Sequence, residues 1–146
     1  MLKLLCVFLL AFIFHDNPEW SPDLASAKKQ AHDENKMILL NFSGSDWCGP
    51  CIRLHKEIIG SEAFEKYANG HLVLLNADFP RMKKNQLSKE KQAQNDALAD
   101  IYNKNGTFPL TLLLDADGKV LKQWEGFPGV TPEVFVSQIS AIQHAH

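Results

Sequence analysis

The sequence predicts an α/β fold: a mixed sheet of about four strands with helices on both faces. Three observations predict it. Two apolar runs of strand length, MILLNF at 37–42 and HLVLLNAD at 71–78, suit burial on both faces of a sheet. Segments with apolar residues at helical spacing stand before, between and after them. The pair Asp117-Gly118 separates two further strand-like runs, the pattern of a hairpin turn.

The totals set the frame. A chain of 146 residues has room for one domain with a proper core, and 45% hydrophobic with 22% charged residues is ordinary for a globular protein. The net charge of −2 gives no reason to expect nucleic acid or an acidic membrane surface as partner.

Taken in order, the chain opens with Met1-Leu2-Lys3 and an unbroken apolar run from Leu4 to Phe14. A membrane-spanning helix needs ~20 apolar residues, so this run fits the apolar region of a secretory signal peptide instead. Residues 1–14 are read as a signal peptide, or an N-terminal anchor if uncleaved, and the protein as exported, to the periplasm. Removal of the leader takes Cys6 with it and leaves Cys48 and Cys51 in a compartment that tolerates disulfides.

Ser21-Pro22-Asp23 reads as a helix start, with Ser21 as cap, and Leu24, Ala27, Lys28 and Ala31 follow at helical spacing to Asn35-Lys36. After the first strand, Ser43-Gly44-Ser45-Asp46 is a loop. From Pro50, the apolar residues Ile52, Leu54, Ile58 and Ile59 predict a helix that stops at Gly60. Ser61 caps a shorter helix through Tyr67, and the second strand follows. Phe79–Lys91 is polar and basic and reads as a solvated loop, with an anion or partner patch as the alternative. Ala93–Asn105 is helical with Gly106 as stop. Leu110–Leu114 and Lys119–Trp124 form the hairpin, and Thr131-Pro132-Glu133 opens a last helix with Phe135, Ile139 and Ile142 on one face. Strands separated by helices imply parallel pairing, and the hairpin adds an antiparallel strand.

The chemistry lies in Trp47-Cys48-Gly49-Pro50-Cys51. A buried strand, a short loop and then a helix place Cys48 at a helix N-terminus, where unpaired N–H groups and the helix dipole favour a thiolate. Cys51 lies one turn further in, near enough for a disulfide and more buried. Cys48 then suits attack on a substrate disulfide, and Cys51 resolution of the mixed disulfide. Pro50 is tolerated in the first helical turn, and Gly49 keeps the approach open. A zinc site asks for four ligands, and no second CxxC is present. A purely structural disulfide at this spacing closes a tiny loop and restrains the unfolded chain little.

The WCGPC pentad after MILLNF resembles the thioredoxin superfamily, and the resemblance runs from about Trp20 to Ile142. Leu75-Asn76-Ala77-Asp78 is similar to the family's second core strand, Phe108-Pro109-Leu110-Thr111 to its proline before the hairpin, and Gly126 to the glycine after it. The exported look and the phrase NFSGSDWCGPC are similar to periplasmic thioredoxin-like proteins, among them the C-terminal domain of the transmembrane periplasmic disulfide reductase. The resemblance implies a thioredoxin-like three-layer sandwich over 20–143. It makes Cys48 the nucleophile and Cys51 the resolving thiol, and gives Trp47 the task of shielding the pair. It also implies a cis Pro109, with the backbone of Phe108 pairing with an extended substrate segment.

The sequence departs from that pattern in three places. Thioredoxins commonly carry a buried Asp in the strand before the motif; the aligned residue is Asn41, which takes up no proton, and the position of its Lys partner is Leu74. Proton transfer at Cys51 then falls to water, Asp46 or His55, the last being i+4 from Cys51 on a helix. The usual helix-kinking proline is replaced by Lys56, which predicts a straighter helix. The expected activity is a thiol–disulfide oxidoreductase, a reductase of exported protein or peptide disulfides. It needs no cofactor or metal, works as a monomer and is recharged by a membrane or soluble thiol donor. An oxidase or isomerase with the same residues, and a non-catalytic binding module with a static disulfide, are the alternatives.

Overall fold

The computed structural model describes residues 18–145; the leader expected over 1–14 lies outside them. Four strands, β1 (Met37–Ser43), β2 (Leu72–Asp78), β3 (Leu110–Leu114) and β4 (Val120–Glu125), form one sheet in the order β2-β1-β3-β4. Five α-helices cover it: α1 (Leu24–Glu34), α2 (Gly49–Leu54), α3 (Glu62–His71), α4 (Lys89–Tyr102) and α5 (Pro132–Gln143). No helix among the described residues is long and apolar enough to cross a membrane.

The three layers follow from the alternation of side chains along buried strands. Ile38, Leu40 and Phe42 of β1 face one side with Val73, Leu75, Leu110, Leu112 and Leu114, where Ala27, Ala31 and Leu98 of α1 and α4 close the core. Leu39 faces the other side with Leu72, Leu74 and Leu113, under Leu54, Phe64, Phe135 and Ile139 of α2, α3 and α5. Asn41 lies on the second side, two residues beyond Leu39, at the end of the sheet that carries the cysteines.

β1 and β2 run parallel, as expected, but β3 runs antiparallel to β1, which corrects the rule applied to helix-separated strands. The reason is visible in the register. Asp78, the last residue of β2, pairs with Ser43, while Leu110, the first of β3, pairs with Phe42. The chain leaves and re-enters the sheet at the same end, because the connection holds both α4 and a turn-containing return through residues 103–109, where the Gly106 N–H donates to Asn103 O.

Local signals set most helix ends, with corrections. α1 starts later than expected: the Asp23 carboxylate, not Ser21, accepts the Ser26 N–H at 2.7 Å. Ser21 instead donates its backbone N–H to Leu74 O at 2.7 Å, and Trp20 bridges to Leu74, covering the free edge of β2. Asn35 ends α1 in the left-handed conformation at φ 53°. α3 runs on to His71 beyond its expected end at Tyr67, and α4 starts at Lys89 because the Ser88 hydroxyl caps it through the Lys91 N–H. The helix after the cysteines is not a regular α-helix: α2 passes at His55 into a π-helical turn, His55–Ile59, before Gly60. Such single turns widen the helix locally and recur at functional sites.

Candidate active site

Cys48 is the N-cap of α2, and its Sγ accepts the Cys51 N–H at 3.3 Å. The two cysteines form a disulfide with S–S 2.10 Å and Cα–Cα 5.2 Å. Cys48 is 5% exposed and Cys51 fully buried, so a reagent arriving from solvent meets Cys48 first. Reduction leaves the Cys48 sulfur where the first-turn N–H groups and the helix dipole favour a thiolate. Gly49 and Pro50 are exposed beside it, and a Cβ on Gly49 would have no neighbour within 4 Å, so the approach is open.

Trp47 is fixed on several sides. Its indole N–H donates to Phe79 O at 2.8 Å, its ring meets Phe108 edge-on at 5.5 Å, and the Arg81 guanidinium lies 3.6 Å above its centroid. Gly44 lies under the same ring. A Cβ there would fall 2.3 Å from Trp47 Cε2, so only glycine lets the indole sit this close. The Gly44 carbonyl also accepts the backbone N–H groups of Trp47 and Cys48 at 3.2 and 2.9 Å, which tightens the turn into the motif. Gly44 is therefore a site-shaping residue that the sequence reading passes over as loop; the small-residue run Ser43-Gly44-Ser45 is its only trace.

The Phe108–Pro109 peptide is cis, and Pro109 is buried at the head of β3, its carbonyl accepting the Gly126 N–H at 2.8 Å. The Phe108 ring packs between Trp47 and Phe79, 5.5 Å from each.

Asp46 and His55, the two candidates for proton handling, are placed very differently. The Asp46 carboxylate points away from the cysteines into the next loop, accepting the N–H groups of Arg81 and Met82 and the Asn85 amide, each at 2.9 Å. These donors, Arg81 first, hold its pKa below the ordinary carboxylate value. It is a loop anchor with both oxygens engaged, which corrects the expectation that it serves Cys51.

His55 lies on the correct side. It shares with Cys51, Ser43, Ser45, Ile52, Lys56 and Asn76 an open cleft of about 380 Å³. Its Nε2 is 3.1 Å from Nδ2 of the fully buried Asn41, which also donates to Asn76 Oδ1 at 3.1 Å and accepts from Thr111 Oγ1 at 3.1 Å. Because the Asn41 amide N–H group is a donor, Nε2 is the acceptor, and the imidazole is neutral with its proton on Nδ1. Burial pushes the His55 pKa down, with the Asp78 carboxylate pulling weakly the other way, so the ring stays neutral at pH 7. Trp20 packs against its other side at 5.9 Å. The Ser43 hydroxyl, buried in the wall of the same cleft, has no hydrogen-bond partner among the described residues. The position of the missing acid is thus filled by a neutral chain, Thr111–Asn41–His55, with Asn76 as a branch. Leu74, at the position of the missing lysine, is buried with Leu39 and Leu113, which agrees with the loss of both charges together.

A CxxC disulfide at a helix N-terminus, a cis proline at the head of the neighbouring strand and this sheet order describe one fold family, and the comparisons agree. A description of the thioredoxin-like domain matches residues 24–143. The chain belongs to the thioredoxin-like family. Among thioredoxin-like relatives, it is 35% identical over 113 residues to the disulfide bond reductase DsbH of Chlamydia pneumoniae, covering 77% of this chain and 66% of that protein. It is 28% identical over 116 residues to the thioredoxin-related protein DsbJ of the same organism, covering 80% of this chain and 32% of that one. The chain thus spans just under two thirds and about one third of those relatives. The solved structure of a DsbH oxidoreductase superposes with a TM-score of 0.79 at 32% identity, covering 90% of this chain and 88% of the other.

Proposed function

We propose that this thioredoxin-like chain is a thiol–disulfide oxidoreductase that reduces disulfides of exported proteins. Likeness to a protein named as a disulfide bond reductase supports the direction; the oxidised Cys48–Cys51 pair at the start of α2 carries the chemistry.

In the reduced protein the Cys48 thiolate attacks one sulfur of the substrate disulfide, and the other sulfur leaves as a thiolate. Cys51 loses its proton and attacks Cys48 Sγ, which releases the second substrate thiol and closes the Cys48–Cys51 disulfide. Two electrons pass to the substrate, and a dithiol donor, membrane-bound or soluble, returns them. The Phe108 backbone beside Pro109 pairs with the extended substrate segment, and Trp47 shields the sulfurs on one side. His55, neutral and in the same cleft as Cys51, accepts the Cys51 proton at Nε2 through cleft water once that nitrogen exchanges its hydrogen bond from Asn41 for the water, the role that Asn41 cannot fill. The apolar run at the N-terminus supports export to the periplasm.

The test is the Cys51→Ser variant presented with a protein disulfide. Cys48 accumulates as a mixed disulfide that mass spectrometry identifies. If Cys48 traps no partner under conditions where a free thiol reacts, the exchange mechanism is wrong and a static disulfide is the better reading.

A further inference from the structure

The segment between β2 and α4, with the first turn of α4, is the feature that the exchange mechanism leaves unused. Residues 79–92 hold five cations, Arg81, Lys83, Lys84, Lys89 and Lys91, against the single acid Glu90, in a chain whose net charge is −2. A solvated loop would put these charges anywhere. Here the loop is tied to the motif. Phe79 donates its N–H to Ser43 O at 2.9 Å and accepts the Trp47 indole N–H at 2.8 Å. The Asp46 carboxylate, two residues before Cys48, takes three donors from Arg81, Met82 and Asn85, and a 3₁₀ turn at Lys83–Asn85 completes the segment. Arg81 therefore holds a defined place over Trp47, and Lys83 and Lys84 follow it on the same anchored segment.

Lys91 is taken up by the Pro22 carbonyl at 2.7 Å, but three of the cations are uncommitted. The salt bridges among the described residues join Lys29, His32, Lys36 and Arg53 to acids and leave Arg81, Lys83 and Lys84 without one. The Arg81 guanidinium lies over the Trp47 ring, 3.6 Å from its centroid, and makes no side-chain hydrogen bond or salt bridge among the described residues, so its N–H groups can take a carboxylate. Residues 81–86 are exposed, and Met82, 49% exposed, adds an apolar contact between the charges. Asp46 and Asp78 are the nearby opposing charges, but the oxygens of Asp46 already hold the loop and those of Asp78 accept the Ser45 N–H and hydroxyl.

From these observations we infer that Arg81, Lys83 and Lys84 form a cationic ledge beside Trp47 that selects polypeptide substrates with acidic residues flanking the disulfide. A substrate segment that reaches Cys48 on the Trp47 side passes over this ledge. Its charges then lie within the screening length of ~8–10 Å, where they raise encounter rates and fix orientation. The inference rests on the oxidoreductase reading and adds to it the class of substrate.

The experiment uses three synthetic peptide disulfides that differ only in their flanks: two glutamates, two glutamines or two lysines. The rate constant for reduction by the dithiol-reduced protein is measured at low and high salt. The wild-type protein is expected to prefer the Glu-flanked over the Lys-flanked peptide by roughly tenfold, with the ratio falling towards one in 0.5 M NaCl (~4 Å screening). In the Lys83→Glu/Lys84→Glu variant that ratio, read within the variant, falls severalfold; Lys83→Gln/Lys84→Gln does the same to a lesser degree. Equal rates on the Glu and Lys peptides by the wild-type protein, or a ratio unmoved by either variant, overturn the inference and leave the oxidoreductase reading intact. Failure to reduce even the Gln-flanked peptide overturns the oxidoreductase reading, and the ledge with it.

Discussion

Replacing Asn41 by leucine tests whether a neutral hydrogen-bonded chain has taken the place of a buried acid. The two side chains share a branched outline, so the change removes the hydrogen bonds while keeping the shape, and the bulkier methyl groups add some overpacking to the loss. Asn41 is fully buried and its amide makes three contacts at 3.1 Å, to His55, Asn76 and Thr111. The three partners lose unequally. His55 and Asn76 line the open cleft and regain water, whereas Thr111 is 2% exposed, so its hydroxyl has no route to solvent. An unsatisfied buried hydroxyl costs about 1–3 kcal/mol, and that sets the expected loss. At this chain length the loss lowers Tm by on the order of 5 °C. Urea unfolding of the oxidised protein at pH 7 measures it, with the midpoint displaced and the slope unchanged. The further change Thr111→Val removes the stranded hydroxyl, so the double variant recovers most of what Asn41→Leu lost. An Asn41→Leu variant as stable as the wild-type protein, or a double variant that is no more stable than the single one, refutes the reasoning.

Two further outcomes follow from the same geometry. The His55→Gln variant is expected to slow resolution of the Cys48 mixed disulfide by about a hundredfold, measured by stopped-flow release of the substrate thiol. It also flattens the pH dependence of stability. Because burial depresses the His55 pKa, the unfolded chain binds the proton more readily. Stability is therefore full above the ordinary imidazole value of ~6.5 and falls as pH drops from there through the lower native value. The His55→Gln protein lacks that step in urea titrations, and an unchanged step would remove His55 as its source. The Gly44→Ala variant puts a Cβ 2.3 Å from Trp47 Cε2, so the indole must leave its place over Gly44 and its bond to Phe79 O. A destabilisation of roughly 1–3 kcal/mol and a change in tryptophan fluorescence are expected; a wild-type spectrum would show that the ring has another way to fit.

What the sequence discloses of this molecule is what local chemistry decides. β1 and β3 are buried along their whole lengths and largely apolar, so their runs are legible without knowledge of partners. Asn35, Gly60, Ser61 and Thr131 act at helix ends through their own backbone or side chain, and each is readable in place. The misreadings are long-range. Ser21 resembles a cap, but its N–H is taken by Leu74, 53 residues away, so Asp23 caps instead. The π-turn at His55 leaves no mark in composition, since Lys56 in place of proline says only that one cause of a kink is missing. In the site, Cys48, Cys51 and Pro109 are visible as a motif. Asn41 is visible as a departure, but its bond to His55 and Thr111 depends on three elements meeting at one end of the sheet. Asp46 shows the same limit. Next to Trp47 it looks like a catalytic acid, and only the fold reveals that its carboxylate holds residues 81–85.

The reduction potential of the Cys48–Cys51 pair, measured by equilibration with a thiol–disulfide buffer of known potential, tests the reductase reading most directly. A value near ~ −270 mV, where the dithiol readily gives its electrons to protein disulfides, is the predicted result. A value near ~ −120 mV would mean that the pair is held as an oxidant and would contradict it.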